Sequence, residues 1–174
     1  MAYEQLFSKV PVKPGNIYRI PTGCSDPKDA AKDYERKLRI VFHINDNAFP
    51  PFDIVYLGLD ENAHTASLMP LSEIVKDYVE NPLSEKNNQL AASLLVSESN
   101  MYRITLMPGA INNGLDIIFL VAGASKANAV WQVVEGQKNP LLYPAQLIHS
   151  LYGKTIWYLD SCAARKLNNQ RVQH

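Results

Sequence analysis

A chain of 174 residues with 47% hydrophobic content is long enough for one domain with a sizeable core. Its 17 basic and 17 acidic residues cancel, so no net field draws it to nucleic acid or to an anionic membrane. An acidic small ligand would need a local cluster of cations instead. Cys24 and Cys162 lie far apart and suit buried thiols in a reducing compartment better than a disulfide framework or a zinc site. No apolar run is long enough to span a bilayer, and the opening MAYEQLFSKVPVKPGN lacks the apolar core of a signal peptide. The expected location is cytoplasmic.

Residues 2–9 read as a short helix, closed by the proline-rich VPVKPGN, and IYRI (Ile17 to Ile20) reads as a short strand. Asp26 followed by Pro27 is a helix start, an N-cap acid and then proline at the first helical position. That helix carries Ala30, Tyr34, Leu38 and Val41 on one face, with Asp33/Lys37 and Glu35/Arg39 as i,i+4 pairs elsewhere. FDIVYL (Phe52 to Leu57) is apolar too continuously for a strand with one wet face, and the polar loop GLDENAHTASLMP (Gly58 to Pro70) follows it. LSEIVKDYV is a short helix ended by Asn81-Pro82, and AASLLVS and YRITLM are the next strands. Pro108 opens a helical turn, and LDIIFLVAG (Leu115 to Gly123) is the strongest strand. A helix from Ser125 to Gly136 places Ala127, Val130, Val133 and Val134 on one side. A further helix over about Pro144 to Tyr152, the strand TIWYL and a helix from Ser161 complete the chain.

This alternation predicts one α/β domain over residues 1–174, a mainly parallel, Rossmann-like sheet with helices on both faces. Ligands in such folds sit at the carboxyl ends of strands. The loops after Leu57, Met107, Gly123 and Leu159 are therefore the places to search.

Three side chains stand out there. His64 follows a buried strand directly, although a lone histidine is often a capping or buried residue with satisfied nitrogens. Lys126, in GASKA, stands at a helix start where the dipole is positive; a bound phosphate would justify it, and a solvated lysine is the plain alternative. Arg103 lies inside YRITL, where a guanidinium must pair or reach solvent. His43 sits at a helix end as a favourable cation, while His149 in a late helix and His174 in the tail read as structural or solvated. There is no Walker loop, no G-x-G-x-x-G and no metal-spaced cluster, so neither metal nor cofactor is expected. The residues alone reach an α/β domain with a His, Arg, Lys anion site, and leave its chemistry open.

The motifs taken together resemble the 6-phosphogluconolactonase family, in the superfamily that includes glucosamine-6-phosphate deaminase. GLDENAHTASLMP is similar to the family loop Gly-x-Gly-x-Asp-Gly-His-Thr-Ala-Ser-Leu-Phe-Pro through His64, Thr65, Ala66, Ser67, Leu68 and Pro70. YRITLMPGAINN, IIFLVAGASKA, PLLYPAQLI and TIWYLDSCAA resemble later family segments in order, and LFSKVPVKPGNIYRI and DPKDAAKDYERKLR resemble upstream ones. The family's opening strands, its Gly-Gly-Ser-Thr-type phosphate loop and its Asp-Glu-Arg segment have no counterpart here. A sheet without those units is expected to expose apolar strand surface and an unpaired edge, inviting self-association. In the loop, Asp60 replaces the second glycine, Asn62 the aspartate, and Ala63 the glycine before the histidine. Asp and Ala tolerate glycine's backbone angles poorly, and neutral Asn62 cannot stabilise a protonated His64 as a carboxylate would.

The resemblance implies hydrolysis of 6-phosphogluconolactone to 6-phosphogluconate, in the oxidative pentose phosphate pathway, without metal or redox cofactor. His64, with Asn62 beside it, would be the general base that activates water. Arg103 and Lys126 would grip the 6-phosphate, and backbone amides near Gly58 or Ala63 would hold the oxyanion. The deaminase branch needs an acid soon after the histidine, and Thr65 to Met69 supply none. The alternative from another class is a non-catalytic sugar-phosphate binder or interaction protein, which the altered loop favours.

Overall fold

The computed structural model describes residues 2–24, 26–96 and 99–168. His174 lies outside them. A helical turn at Tyr3–Phe7 stands where a short helix is predicted. Ile17 to Ile20, in contrast, is not a strand. It runs between Pro14 and Pro21, which withhold backbone donors, and no strand among the described residues offers it a ladder.

Helix α1 (Pro27–Phe42) starts as its sequence dictates, with Asp26 accepting from the Lys28 N–H at 2.8 Å and Pro27 in the first turn. Ala30, Ala31 and Leu38 are buried, and Tyr34 and Phe42 pack beside Leu38 and Leu90. His43 ends the helix in the left-handed region at φ 52°. Both predicted ion pairs form, Asp33–Lys37 at 2.9 Å and Glu35–Arg39 at 2.7 Å. The second pair carries structure: Arg39 also donates to the carbonyls of Asn45, Ala48 and Asn88, and Glu35 accepts from the Leu90 N–H at 3.0 Å.

Strands β1 (Ile54–Leu57), β4 (Asp116–Val121) and β5 (Lys154–Leu159) form a parallel sheet in the order β1-β4-β5. Strands β2 (Ala91–Val96) and β3 (Met101–Leu106) pair antiparallel as a separate hairpin against α1. Helix α2 (Glu73–Glu80) is capped by Ser72, and α3 (Pro108–Asn112) opens on proline as expected. Helix α4 (Ala127–Val134) follows a tight turn at Ala124–Lys126, and α5 (Ser161–Ala164) is capped by Asp160.

One face of the parallel sheet carries the core. Val55, Ile117, Phe119 and Val121 pack with Leu68, Val75, Val130 and Ile148, and the Phe119 and Trp157 rings stack 3.9 Å apart. The opposite face is open, which corrects the reading of Phe52 to Leu57 as a strand without a wet face. Ile54, Tyr56, Leu120 and Tyr158 are 48%, 63%, 54% and 60% exposed, because side chains alternate and nothing described packs on that side.

The helix predicted from Pro144 to Tyr152 is only a turn, Pro144–Leu147, so His149 lies in irregular chain. Side chains satisfy its backbone in place of a helical ladder. Asn112 donates to the Leu147 carbonyl at 2.8 Å and accepts from the His149 N–H at 3.0 Å. Both cysteines are free and exposed rather than buried, Cys24 in the turn before α1 and Cys162 in the first turn of α5. No helix among the described residues is long and apolar enough to cross a membrane.

Candidate active site

The loop after β1 is pinned from below. Leu59, Ala63, Thr65 and Leu68 are buried, while the polar residues between them face outward. Thr65 donates its hydroxyl to the Gly58 carbonyl at 2.7 Å, the Ser67 N–H donates to Thr105 Oγ1 on β3 at 3.1 Å, and the Ala63 carbonyl accepts from Ala145 N–H at 3.1 Å. Ala63 sits at φ 62° and Ala66 at φ 50°, in the region that favours glycine. The strain expected at position 63 is therefore present. Asp60 is not among the positive-φ residues, so its backbone makes no demand for glycine.

Asn62 orients His64. Its Oδ1 accepts the backbone N–H of His64 at 3.2 Å and lies 2.6 Å from the ring Nδ1. The backbone N–H can only donate, so the amide oxygen must be the atom facing the histidine. Nδ1 then carries the proton toward Asn62, and the neutral ring presents the lone pair on Nε2. Nε2 lies 3.9 Å from Asp60 Oδ2. An amide at position 62 thus sets the tautomer that a carboxylate would set, without its charge.

Lys126 arrives from the neighbouring strand. At the end of β4, Gly123 adopts φ 101°, and its N–H is held by both carboxylate oxygens of Asp160, at 3.1 and 3.0 Å. The same carboxylate accepts from Ala163 N–H at 2.7 Å and caps α5. This clamp sets the turn that carries Lys126 toward the loop. There its ammonium forms a close ion pair with Asp60, and Glu61 Oε1 lies 4.0 Å away. The negative partner that a lysine at a helix start requires is a carboxylate of the chain itself. Lys126, and then the Glu61 N–H, hold the Asp60 carboxyl below the usual carboxylate range.

Together Tyr56, Gly58, Asp60, His64, Thr65 and Lys126 line a cleft of about 400 Å³ at the carboxyl end of the sheet. Of the predicted site residues, the fold brings His64, Gly58 and Lys126 into this cleft and Asn62 directly behind the histidine. Ala63 lies beneath, with its N–H committed to the Asp60 carbonyl at 2.9 Å, so this amide is spent on the turn rather than offered to an oxyanion. Arg103 is not brought in. It lines a separate cleft of about 450 Å³ with Thr22, Cys24, Ser67 and Tyr102. Among the described residues no group of His, Cys, Asp or Glu has the arrangement to hold a metal ion. Asp60 is the site residue that the sequence reading passed over as a mere replacement for glycine. The signal was there: Asp60 and Lys126 follow adjacent parallel strands, whose carboxyl-end loops must meet.

A profile of the family described as glucosamine-6-phosphate isomerases/6-phosphogluconolactonase matches residues 1–157. The 6-phosphogluconolactonase of Synechocystis sp. is 32% identical over 167 residues, which cover 96% of this chain and 65% of the relative. The human 6-phosphogluconolactonase is 32% identical over 171 residues, covering 97% of this chain and 61% of its own length. Among solved structures, the devB protein superposes with a TM-score of 0.78 at 33% identity, over 96% of this chain and 65% of that one. The 6-phosphogluconolactonase of Thermotoga maritima gives 0.68 at 25% identity, over 90% and 62%. The chain spans less than two thirds of the length of these relatives.

Proposed function

Because the chain belongs to the glucosamine-6-phosphate isomerase/6-phosphogluconolactonase family, we propose that its His64 cleft hydrolyses 6-phospho-D-glucono-1,5-lactone to 6-phosphogluconate, a step of the oxidative pentose phosphate pathway. The observation that carries this reading is the Asn62–His64 contact of 2.6 Å, which keeps the proton on Nδ1 and makes Nε2 the basic nitrogen of the ring. Water attacks the lactone C1 as Nε2 takes its proton. The tetrahedral intermediate then expels the ring oxygen, breaking the bond between C1 and that oxygen, and the alkoxide recovers the proton from Nε2. The carboxylate of Asp60, 3.9 Å from Nε2, faces the charge that the ring acquires between these steps. Gly58 leaves the carbonyl room to approach, since a Cβ there would meet nothing within 4 Å. Lys126 is the cation of the cleft and is assigned to the 6-phosphate. Arg103, which lines the separate cleft with Ser67, is assigned no part in this chemistry.

The test is lactone hydrolysis by the purified chain, corrected for spontaneous opening, beside His64→Ala. Loss of a placed general base lowers the rate by about 10²–10⁴-fold. Equal rates for parent and variant would remove His64 from the chemistry.

Two further readings belong to this proposal. The open apolar face beside β1, an edge strand among the described residues, supports self-association, with a second copy as the partner. The free, exposed thiols Cys24 and Cys162 support a cytoplasmic, reducing location.

A further inference from the structure

The two basic side chains of the His64 cleft face the same acid. Lys126 is ion-paired with Asp60, and His64 Nε2 lies 3.9 Å from the other Asp60 oxygen. Glu61 adds a second carboxylate 4.0 Å from the Lys126 ammonium. Asp60 is also held in place from its own side, since its Oδ1 accepts the Glu61 N–H at 2.8 Å. The carboxylate is thus fixed over the cleft rather than swinging in solvent.

A phosphate monoester brings about −1.5 to −2 charges at neutral pH. In this cleft it meets one ammonium that is already neutralised, with a carboxylate where a second cation would serve it. It must displace Asp60 from Lys126 or bind alongside it, and either course weakens its hold. A hydroxyl group meets no such conflict, because it can donate to Asp60 and accept from Lys126 together.

We propose that Asp60 is a specificity-determining residue: as the built-in counter-ion of Lys126, it lowers the cleft's preference for a phosphorylated sugar acid over the same acid without phosphate. The proposal rests on reading the cleft as a sugar-lactone site, but it concerns binding and not turnover.

The experiment compares binding of 6-phosphogluconate and gluconate, by calorimetry, to the parent chain, Asp60→Asn, Lys126→Met and the double variant. Asn has the shape of Asp, and position 60 is half exposed with an undemanding backbone, so folding is retained. The expected result is that Asp60→Asn tightens 6-phosphogluconate by about two- to fivefold, the scale of one half-exposed charge contact, with little change for gluconate. The gain is expected to vanish in the double variant. An unchanged or weaker affinity of Asp60→Asn for 6-phosphogluconate, including no detectable binding to any variant, overturns the proposal. So does an equal gain for both compounds. Tighter phosphate binding without His64-dependent hydrolysis would keep this proposal and sink the lactonase reading. Hydrolysis with no effect of Asp60→Asn on binding would do the reverse.

Discussion

Asn62 Oδ1 accepts from both the backbone and the ring of His64, and so decides which ring nitrogen keeps the proton. Removing that acceptor in Asn62→Ala frees the ring to exchange tautomers and to turn. A neutral hydrogen bond is worth about 1 kcal/mol, so kcat should fall roughly five- to tenfold with KM nearly unchanged. Nitrogen NMR supplies a readout that a general loss of packing would not move: the parent ring protonated at Nδ1, the variant a mixture. A parent ring protonated at Nε2 would reject the assignment.

The Asp60–Lys126 pair has a signature in acid. Asp60 is held below its ordinary value of 3.8, first by Lys126 and then by the Glu61 N–H. A depressed carboxylate contributes stability that is present above the unfolded-state value and lost as pH falls through the folded one. The stability that the Asp60 charge gives the parent over Asp60→Asn should therefore shrink progressively as the pH falls below about 5. Carboxyl NMR should find Asp60 titrating below 3.8 in the parent and moving up toward 3.8 in Lys126→Met. A parent value at or above 3.8 would leave the pair without electrostatic weight.

Local chemistry explains which parts of this arrangement the sequence disclosed. The cap at Asp26 and Pro27, the pairs of α1, and the strands at Ile54 and Asp116 are each specified by residues close in sequence. The sheet order is not, and with it goes the covering of each face. The apolar run Phe52 to Leu57 looks the same whether one or both faces are packed, so it does not disclose that Tyr56 is exposed. The irregular stretch after Leu147 was equally hidden, because Asn112 replaces its helical bonds from 35 residues away. His64 and Lys126 were legible as loop residues after strong strands. Asp60 became legible only when both loops were placed at one end of the sheet, where a residue read as a backbone defect proves to be a charge.

Ala63 tests the backbone of the loop apart from its charges. At φ 62° an alanine carries a strain of about 1–2 kcal/mol, which glycine relieves. Glycine in turn loses about 0.5–1 kcal/mol through the unfolded chain, and a buried methyl is worth about 0.8 kcal/mol. These nearly cancel, so Ala63→Gly should leave stability within about 1 kcal/mol of the parent. Ala63→Val adds β-branching in the left-handed region and bulk at a fully buried site, and should cost about 2 kcal/mol or more. Denaturant melts measure both, and a destabilising glycine as large as the valine would show that packing governs this turn.

Leu120 and Tyr158 stand opposite each other on the open face of the sheet, in register across β4 and β5. Side chains so exposed contribute little to folding, whereas a contiguous apolar patch on a parallel sheet favours burial against another surface. Leu120→Lys with Tyr158→Glu places opposite charges across the strand pair and should change unfolding stability by no more than about 0.5 kcal/mol. If a second copy covers this face, sedimentation of the parent should show mass rising with concentration and the double variant should remain a monomer. A parent that is monomeric at every concentration would exclude self-association. Association that survives both charges would move it to the edge of β1, where backbone groups rather than side chains make the contact.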